Sequence, residues 1–123
     1  MDTLIIASKE DSPGVNFDPG SGIFEITYRS LPEDAIEFYE PILEWLEQYK
    51  KEAQPKTVFN FKLEYFNTSS AKQIYKMMNM LQEFAKTKDV EIIWHYQHED
   101  KDMCTSGERY AKLITVPFSL VAY

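Results

Sequence analysis

Cysteine, basic residues and long apolar runs are scarce in this sequence, and each scarcity excludes a class of protein. The one cysteine, Cys104, cannot form an internal disulfide or a site of several thiolates. With 13 Lys and Arg against 20 Asp and Glu, the net charge of −7 would repel nucleic-acid phosphates and anionic lipids. No apolar run approaches membrane-spanning length, and the first residues do not resemble a signal peptide. We therefore expect a cytoplasmic protein that binds neither nucleic acid nor membrane.

The composition nevertheless contains enough apolar material for a packed core. Of the 123 residues, 44% are hydrophobic and 15% are aromatic, which is typical of a globular protein and far from the composition of a disordered one. This length suits one domain of ordinary size, and the sequence has neither internal repeats nor linkers. We expect residues 1–123 to form a single domain.

Five segments have the pattern of β-strands. Two Pro-Gly pairs flank the first of them and indicate a hairpin, and three others alternate apolar with polar residues. The last is predicted to point Val116, Phe118 and Leu120 inward, and Pro117 places it at a sheet edge because proline cannot donate to a ladder. The predicted strands centre on Val15–Phe17, Phe24–Arg29, Val58–Tyr65, Val90–Gln97 and Val116–Leu120.

Three segments have helical patterns. Ser30 and Glu33 have the spacing of a capping box before the first helix, which Pro41 should kink or break. Four capping-type residues, Asn67–Ser70, precede a second helix whose apolar stripe includes Met78 and leaves Met77 and Met80 outside it. A third, polar helix is predicted over about Asp100–Leu113.

Strands that alternate with helices predict an α/β fold with parallel pairings. A sheet covered on both faces would have strands that are apolar throughout, whereas three of these strands carry polar residues at every second position. We therefore predict a two-layer domain with a mixed sheet, helices mainly on one face and a solvated opposite face.

The segment Asn67-Thr68-Ser69-Ser70 is the first candidate functional site. Such residues are the usual N-caps, because their side-chain oxygens accept hydrogen bonds from the free amides of a first helical turn. One helix start does not need four of them, however, and a helix N-terminus also favours an added phosphate. From the residues alone, the segment is either a cap or a phosphorylation site that controls a partner surface.

The second candidate is a group of metal-ligand residue types, His95, His98, Glu99 and Asp100. Their spacing matches none of the familiar zinc patterns, and the alternative is a histidine on the polar strand face followed by a solvated loop. Cys104 has no basic neighbours in the sequence and is expected to be unreactive. No serine-hydrolase elbow or nucleotide-binding loop is present.

Three segments resemble the SiaC family of bacterial regulatory phosphoproteins. They are Tyr65-Phe-Asn-Thr-Ser-Ser70, Ile93-Trp-His-Tyr96 and Val116-Pro-Phe118, and the resemblance extends over essentially the whole chain. It implies a STAS-like fold, similar to that of anti-sigma-factor antagonists, and a non-enzymatic partner-switching function without a cofactor.

The resemblance also implies a site and a set of partners. The phosphate acceptor of the family corresponds to Thr68, and Asn67, Ser69 and Ser70 are expected to shape the partner contacts. A dedicated kinase and a PP2C-type phosphatase would add and remove the phosphate, and the unmodified form would bind and activate an effector, which the resemblance implies is a diguanylate cyclase. Two alternatives remain open: a STAS-like domain that binds a small molecule, and a small metal-binding protein centred on His95 and His98.

Overall fold

The computed structural model describes residues 1–123 and contains one six-stranded sheet and three helices. The strands are β1 (Leu4–Ile6), β2 (Gly14–Asp18), β3 (Ile23–Ser30), β4 (Lys56–Phe66), β5 (Asp89–Tyr96) and β6 (Phe118–Ala122). The helices are α1 (Ala35–Lys51), α2 (Thr68–Phe84) and α3 (Lys101–Leu113). None of these helices has the length and apolar character that a membrane span requires.

The sheet is mixed, as the sequence predicts. Its strands lie in the order in which they occur along the chain. The pairs β1–β2 and β2–β3 are antiparallel, whereas β3, β4, β5 and β6 pair in parallel. Each parallel step crosses over through one helix, and because such crossovers are almost always right-handed, all three helices lie on the same face.

The burial pattern confirms the one-sided sheet. In β4, Thr57, Phe59, Phe61 and Leu63 are buried, while the alternating residues of the opposite face are half-buried or exposed. The buried face carries a core of stacked and edge-on aromatic rings, among them Phe59 and Phe61 with ring centroids 4.5 Å apart. The predicted fold class is therefore confirmed.

The start of α1 and its proline differ from the prediction. Ser30 does not cap a helix: it is the last residue of β3, pairs with Phe66 of β4 and is fully buried. Asp34 is the N-cap instead, and its side chain accepts a hydrogen bond from the amide of Glu37. Strand pairing thus continues to Ser30 and delays the helix. Pro41 lies inside α1, and it does not divide the helix into two.

Other differences concern short or peripheral elements. Strand β1 was not predicted from the sequence. Val116 is buried as predicted, but it precedes β6. Strand β6 begins directly after Pro117 and lies at the edge of the sheet, and its Leu120 is 36% exposed. Met77 is fully buried, since α2 packs against α1 as well as against the sheet and so needs a wider apolar stripe than the sequence indicates.

Candidate functional site

The site lies where β4 ends and α2 begins. Asn67 is extended, with φ −88° and ψ 176°, and its Oδ1 accepts a hydrogen bond of 2.9 Å from the amide of Ser70. Its own amide donates to the carbonyl of Ser30 over 3.1 Å. Asn67 therefore caps the helix and also ties the cap to the end of the neighbouring strand β3.

The four residues of the candidate segment have different degrees of exposure. Thr68, the first residue of α2, and Ser69 are exposed, and Asn67 is half-buried. Ser70 is fully buried. The Ser70 hydroxyl faces the interior, because the first turn of α2 packs against β3, so Ser70 would shape partner contacts by supporting Thr68 and Ser69 from below.

A chain of three buried hydroxyl groups lies under this helix start. The oxygen atoms of Tyr39 and Ser30 are 2.6 Å apart, and the Ser30 hydroxyl donates to Ser70 Oγ over 2.8 Å. Burial raises the pKa of Tyr39 to about 12, and the hydrogen bond with Ser30 opposes part of that rise. These hydrogen bonds link α1, β3 and α2, so the exposed residues Thr68 and Ser69 lie on a turn that is fixed to the neighbouring elements.

Helix α3 holds the same turn from another direction. The Tyr110 hydroxyl donates to the carbonyl of Ala71 over 3.0 Å. Burial also raises the pKa of Tyr110 to about 12, and the nearby Tyr39 contributes to this. The first turn of α2 is thus hydrogen-bonded to β3 and α3 directly and to α1 through Ser30, and a group added at its exposed end would change the surface without loosening the turn.

The charge of this helix start differs from that of the other two. Helix α1 begins with Asp34 and Glu37, and α3 begins with Asp100 and Asp102. Helix α2 has a neutral cap and no acidic residue in its first turn. No carboxylate of the helix itself therefore compensates its free amides and the positive end of its dipole, a feature that favours an incoming phosphate. Lys72, one turn after Thr68, is exposed and adds a positive charge.

A groove with a volume of about 1170 Å³ runs from Ser69 and Lys72 to the start of α1. Its 14 lining residues include only three hydrophobic ones, so it offers little of the apolar enclosure that small-molecule sites usually have. Thr68 is not among these lining residues; it stands beside the groove. A surface of this kind is better suited to a protein partner than to a small ligand.

The strands next to the site contain an irregularity that the sequence does not reveal. The register between β3 and β4 shifts between Tyr28 and Arg29, and Tyr28 has a φ of 79°. A non-glycine residue in this region is strained. The shift sets the ends of both strands, and it lies two residues before Ser30, whose hydroxyl supports α2.

The structure does not bring the predicted metal ligands together. His95 lies on the polar sheet face, where its Nε2 is 2.9 Å from Asn60 Oδ1. His98 and Glu99 are exposed in the turn that follows, and Asp100 caps α3. No group of three or more His, Cys, Asp or Glu side chains could hold a metal ion. Partial burial, followed by the charge of Lys62, lowers the pKa of His95 below its usual range.

The sequence missed the buried partners of Ser70. Tyr39 falls on the apolar stripe of α1 and is predicted as core, but nothing in its spacing shows that its hydroxyl meets Ser30. That contact joins residues from different elements and depends on how far β3 extends. The one sequence signal for this contact was Ser30, a polar residue at the end of a predicted strand.

Comparisons with known proteins identify the family to which the whole chain is related. The family model described as "SiaC family regulatory phosphoprotein" matches residues 6–123. The chain is similar, at 24% identity over 124 residues, to an uncharacterized protein of Pseudomonas aeruginosa strain UCBPP-PA14, with 100% of this chain and 98% of that protein covered.

Two solved structures have the same fold. SiaC of Pseudomonas aeruginosa matches with a TM-score of 0.90 at 24% identity, and the match covers 100% of both chains. A chain in the crystal structure of diguanylate cyclase SiaD in complex with its activator SiaC, from the same organism, matches with a TM-score of 0.91 at 24% identity. That match covers 98% of this chain and 99% of the other.

Proposed function

The chain belongs to the SiaC family of regulatory phosphoproteins, and we propose that it is a non-enzymatic signalling domain of a bacterial partner-switching system in the cytoplasm. Phosphorylation of Thr68 by a cognate kinase is the switch, and a PP2C-type phosphatase reverses it. The unphosphorylated form binds and activates an effector, a diguanylate cyclase.

The observation that carries this proposal is the position of Thr68. It is an exposed hydroxyl at the only one of the three helix starts that has no acidic residue in its cap or first turn. An exposed side chain can enter the active sites of both a kinase and a phosphatase. A phosphate there would meet free backbone amides, and no carboxylate of its own helix turn would repel it.

The rigid support explains how one phosphate could act as a switch. The modification adds a charge of about −1.5 to −2 and three acceptor oxygens. Because Ser70, Asn67 and Ala71 are already bonded to other elements, the added group changes the charge and the shape of the tip and leaves the fold intact. A partner that packs against the unmodified tip would then face a desolvation and repulsion penalty.

The choice of effector is supported by a relative. In Pseudomonas aeruginosa, SiaC is the activator of diguanylate cyclase SiaD, and its structure has the same fold as this chain. The residues Asn67 and Ser69, which flank Thr68 at the surface, are the first candidates for contacts with such a cyclase and with the kinase and phosphatase.

Mass spectrometry of the Thr68 peptide tests the site. The cognate kinase and ATP should add one phosphate to the wild-type chain at Thr68 and none to Thr68→Ala. Ser69→Ala is the matched control, because it removes the neighbouring exposed hydroxyl and should leave phosphate incorporation intact. Incorporation into Thr68→Ala at the wild-type level would contradict the site assignment.

A further inference from the structure

Strand β6 forms an open edge of the sheet. It pairs with β5 alone, in a regular parallel register. The amide of Tyr123 donates to the carbonyl of Tyr96 over 2.9 Å, and the carbonyl of Tyr123 accepts from the amide of His98 over 2.8 Å. Because alternate residues of a parallel strand bond to the same neighbour, Ser119 and Val121 also face β5. The outward amides and carbonyls, which no strand pairs, belong to Phe118, Leu120 and Ala122.

This edge lacks the features that usually protect an exposed strand. Protected edges are very short, bulged, or interrupted by lysine or proline. Strand β6 contains none of these features, and it lies in the longest stretch of the chain without a charged residue, Leu113–Tyr123. The opposite edge, β1, is protected by its length of only three residues. Strand β6 is therefore the edge of this sheet that is suited to pair with a further strand.

The outward groups of β6 are complementary to themselves. We propose that this edge pairs with the β6 edge of a second copy of the chain, antiparallel and around a two-fold axis at Leu120. In that register Leu120 lies opposite its counterpart, and Phe118 of each copy lies opposite Ala122 of the other. Opposing residues of this type exchange two hydrogen bonds, so the pairing bonds every outward amide and carbonyl of both strands.

The distribution of charge permits a second copy to approach at this edge. The net charge of −7 opposes contact between two copies over most of the surface. Residues 101–123, however, carry three cations, Lys101, Arg109 and Lys112, against the two carboxylates of Asp102 and Glu108. Helix α3 packs on β5 and β6, so this segment without an acidic excess lies beside the edge. A neutral edge favours an equally neutral strand, which a second copy supplies.

The proposed dimer leaves the Thr68 site free. Strands β4, β5 and β6 run in the same direction, and Thr68 follows the end of β4, two strands away from the β6 edge. Antiparallel pairing turns the second sheet end for end, so the two Thr68 residues lie at opposite ends of the dimer. Each stays accessible, and one dimer presents two copies of the switch. The pairing of β6 therefore does not depend on the proposed function.

The mass of the purified chain in solution tests the pairing. Sedimentation equilibrium over about 1 μM to 1 mM should show a rise from the 14.5 kDa of one chain towards twice that mass. A mass of one chain at every concentration would overturn the proposal.

A proline variant tests the role of the backbone. Ala122→Pro removes an amide that faces the open edge, so it takes no hydrogen bond from the pairing with β5. It should raise the dissociation constant of the dimer by about tenfold or more, because it also places a ring against the partner strand. Ala122→Ser keeps the amide and should stay within about twofold of the wild type.

A charged variant tests the two-fold axis. Leu120→Lys places two cations directly opposite each other and should also raise the dissociation constant by about tenfold or more. Ile5→Lys is the matched control, because Ile5 is 70% exposed on the opposite edge strand β1, and the dimer should form as in the wild type. Urea unfolding of each variant at low concentration verifies that the single chain folds. A dimer that neither Leu120→Lys nor Ala122→Pro weakens would overturn the proposal.

Amide hydrogen exchange of the wild-type chain locates the interface without a substitution. The amides of Ser119 and Val121 bond to β5 and should be protected at every concentration. Those of Phe118, Leu120 and Ala122 should exchange fast in the single chain and become protected as the dimer forms. A dimer that leaves these three amides unprotected uses another surface, and it would overturn the assignment to β6.

Discussion

The first turns of α2 and α3 start alike and differ in charge. Each follows a parallel strand, and each has a cap side chain that accepts from the amide three residues later, Asn67 from Ser70 at 2.9 Å and Asp100 from Met103 at 3.0 Å. Helix α3 adds Asp102, whereas α2 adds no acidic residue. The same hydrogen bond therefore serves two purposes. In α3 the capping carboxylate also offsets the positive end of the helix dipole, whereas in α2 the neutral cap does not.

The two helix starts also differ in what lies below them. The turn of α2 stands on the buried hydroxyl groups of Ser30, Tyr39 and Ser70 and is bonded to Tyr110. The first turn of α3 is held by the indole of Trp94, which donates to the carbonyl of Met103 over 3.0 Å, and it follows an exposed loop that contains His98 and Glu99. A rigid turn with a neutral cap can accept a reversible phosphate charge, and of the three helix starts only that of α2, at Thr68, has a neutral cap.

Removing the central hydroxyl should break this contrast most strongly. Ser30→Ala leaves both the Tyr39 hydroxyl and Ser70 Oγ without their partner in the core, and we expect a loss of about 2–3 kcal/mol in the free energy of unfolding. Urea denaturation measures it. Ser106→Ala in α3 should cost less than about 0.5 kcal/mol. A Ser30→Ala variant as stable as this control would show that the hydroxyl chain does not support the turn.

Alkaline pH should weaken the α2 start through its buried tyrosines. The pKa of Tyr39 is raised from 10.0 to about 12, so its ionised form disfavours the fold. Stability is unaffected below pH 10 and falls as the pH rises from 10 towards 12, by about 1 kcal/mol for this group at pH 11. Tyr39→Phe should flatten the fall when unfolding is followed against pH, while Tyr75→Phe, at an exposed position of α2, should not. Equal slopes in both variants would contradict the assignment.

Removing each cap in turn tests the difference in charge between the two helix starts. Asn67→Ala and Asp100→Ala should each lower the free energy of unfolding by about 1 kcal/mol, because each removes a cap hydrogen bond. The cost of Asp100→Ala should shrink in 1 M salt, which screens the carboxylate from the helix dipole, and the cost of Asn67→Ala should not. The same salt response in both variants would mean that the two starts do not differ electrostatically.

The polar sheet face should contribute the smallest effect. The pKa of His95 is lowered, so its protonation disfavours the fold, and stability should decline slightly as the pH falls below 6.5. His95→Gln can keep a hydrogen bond with Asn60 and should reduce that decline in urea titrations between pH 7 and 5. A wild-type chain whose stability does not change over this range would rule out the lowered pKa.

The sequence predicts most of the fold because alternation and helical stripes are local signals. Phe59, Phe61 and Leu63 mark the buried face of β4, and Asn67 marks the start of α2. The short strand β1 has only three residues, and it exists because of its pairing with β2, which local patterns do not show. The start of α1 was misplaced because pairing with Phe66 keeps Ser30 in the sheet, although its spacing to Glu33 suits a cap.

The candidate site was predictable in part for the same reason. The run Asn67–Ser70 indicates a helix start, but exposure separates Thr68 from Ser70, and exposure depends on what packs below. The lack of acid at the start of α2 can be read from the sequence, and it gains meaning only beside α1 and α3.

The most direct test compares the affinity of the cognate diguanylate cyclase for two forms of the chain, unmodified and phosphorylated on Thr68. Both forms are purified, their phosphate content is verified by mass spectrometry, and each is titrated with the cyclase. Because the phosphate adds negative charge to a neutral, rigid helix start, we predict that phosphorylation weakens binding of the cyclase by about tenfold or more. Equal affinity of the two forms would contradict the account, because Thr68 would then be a site without a switch.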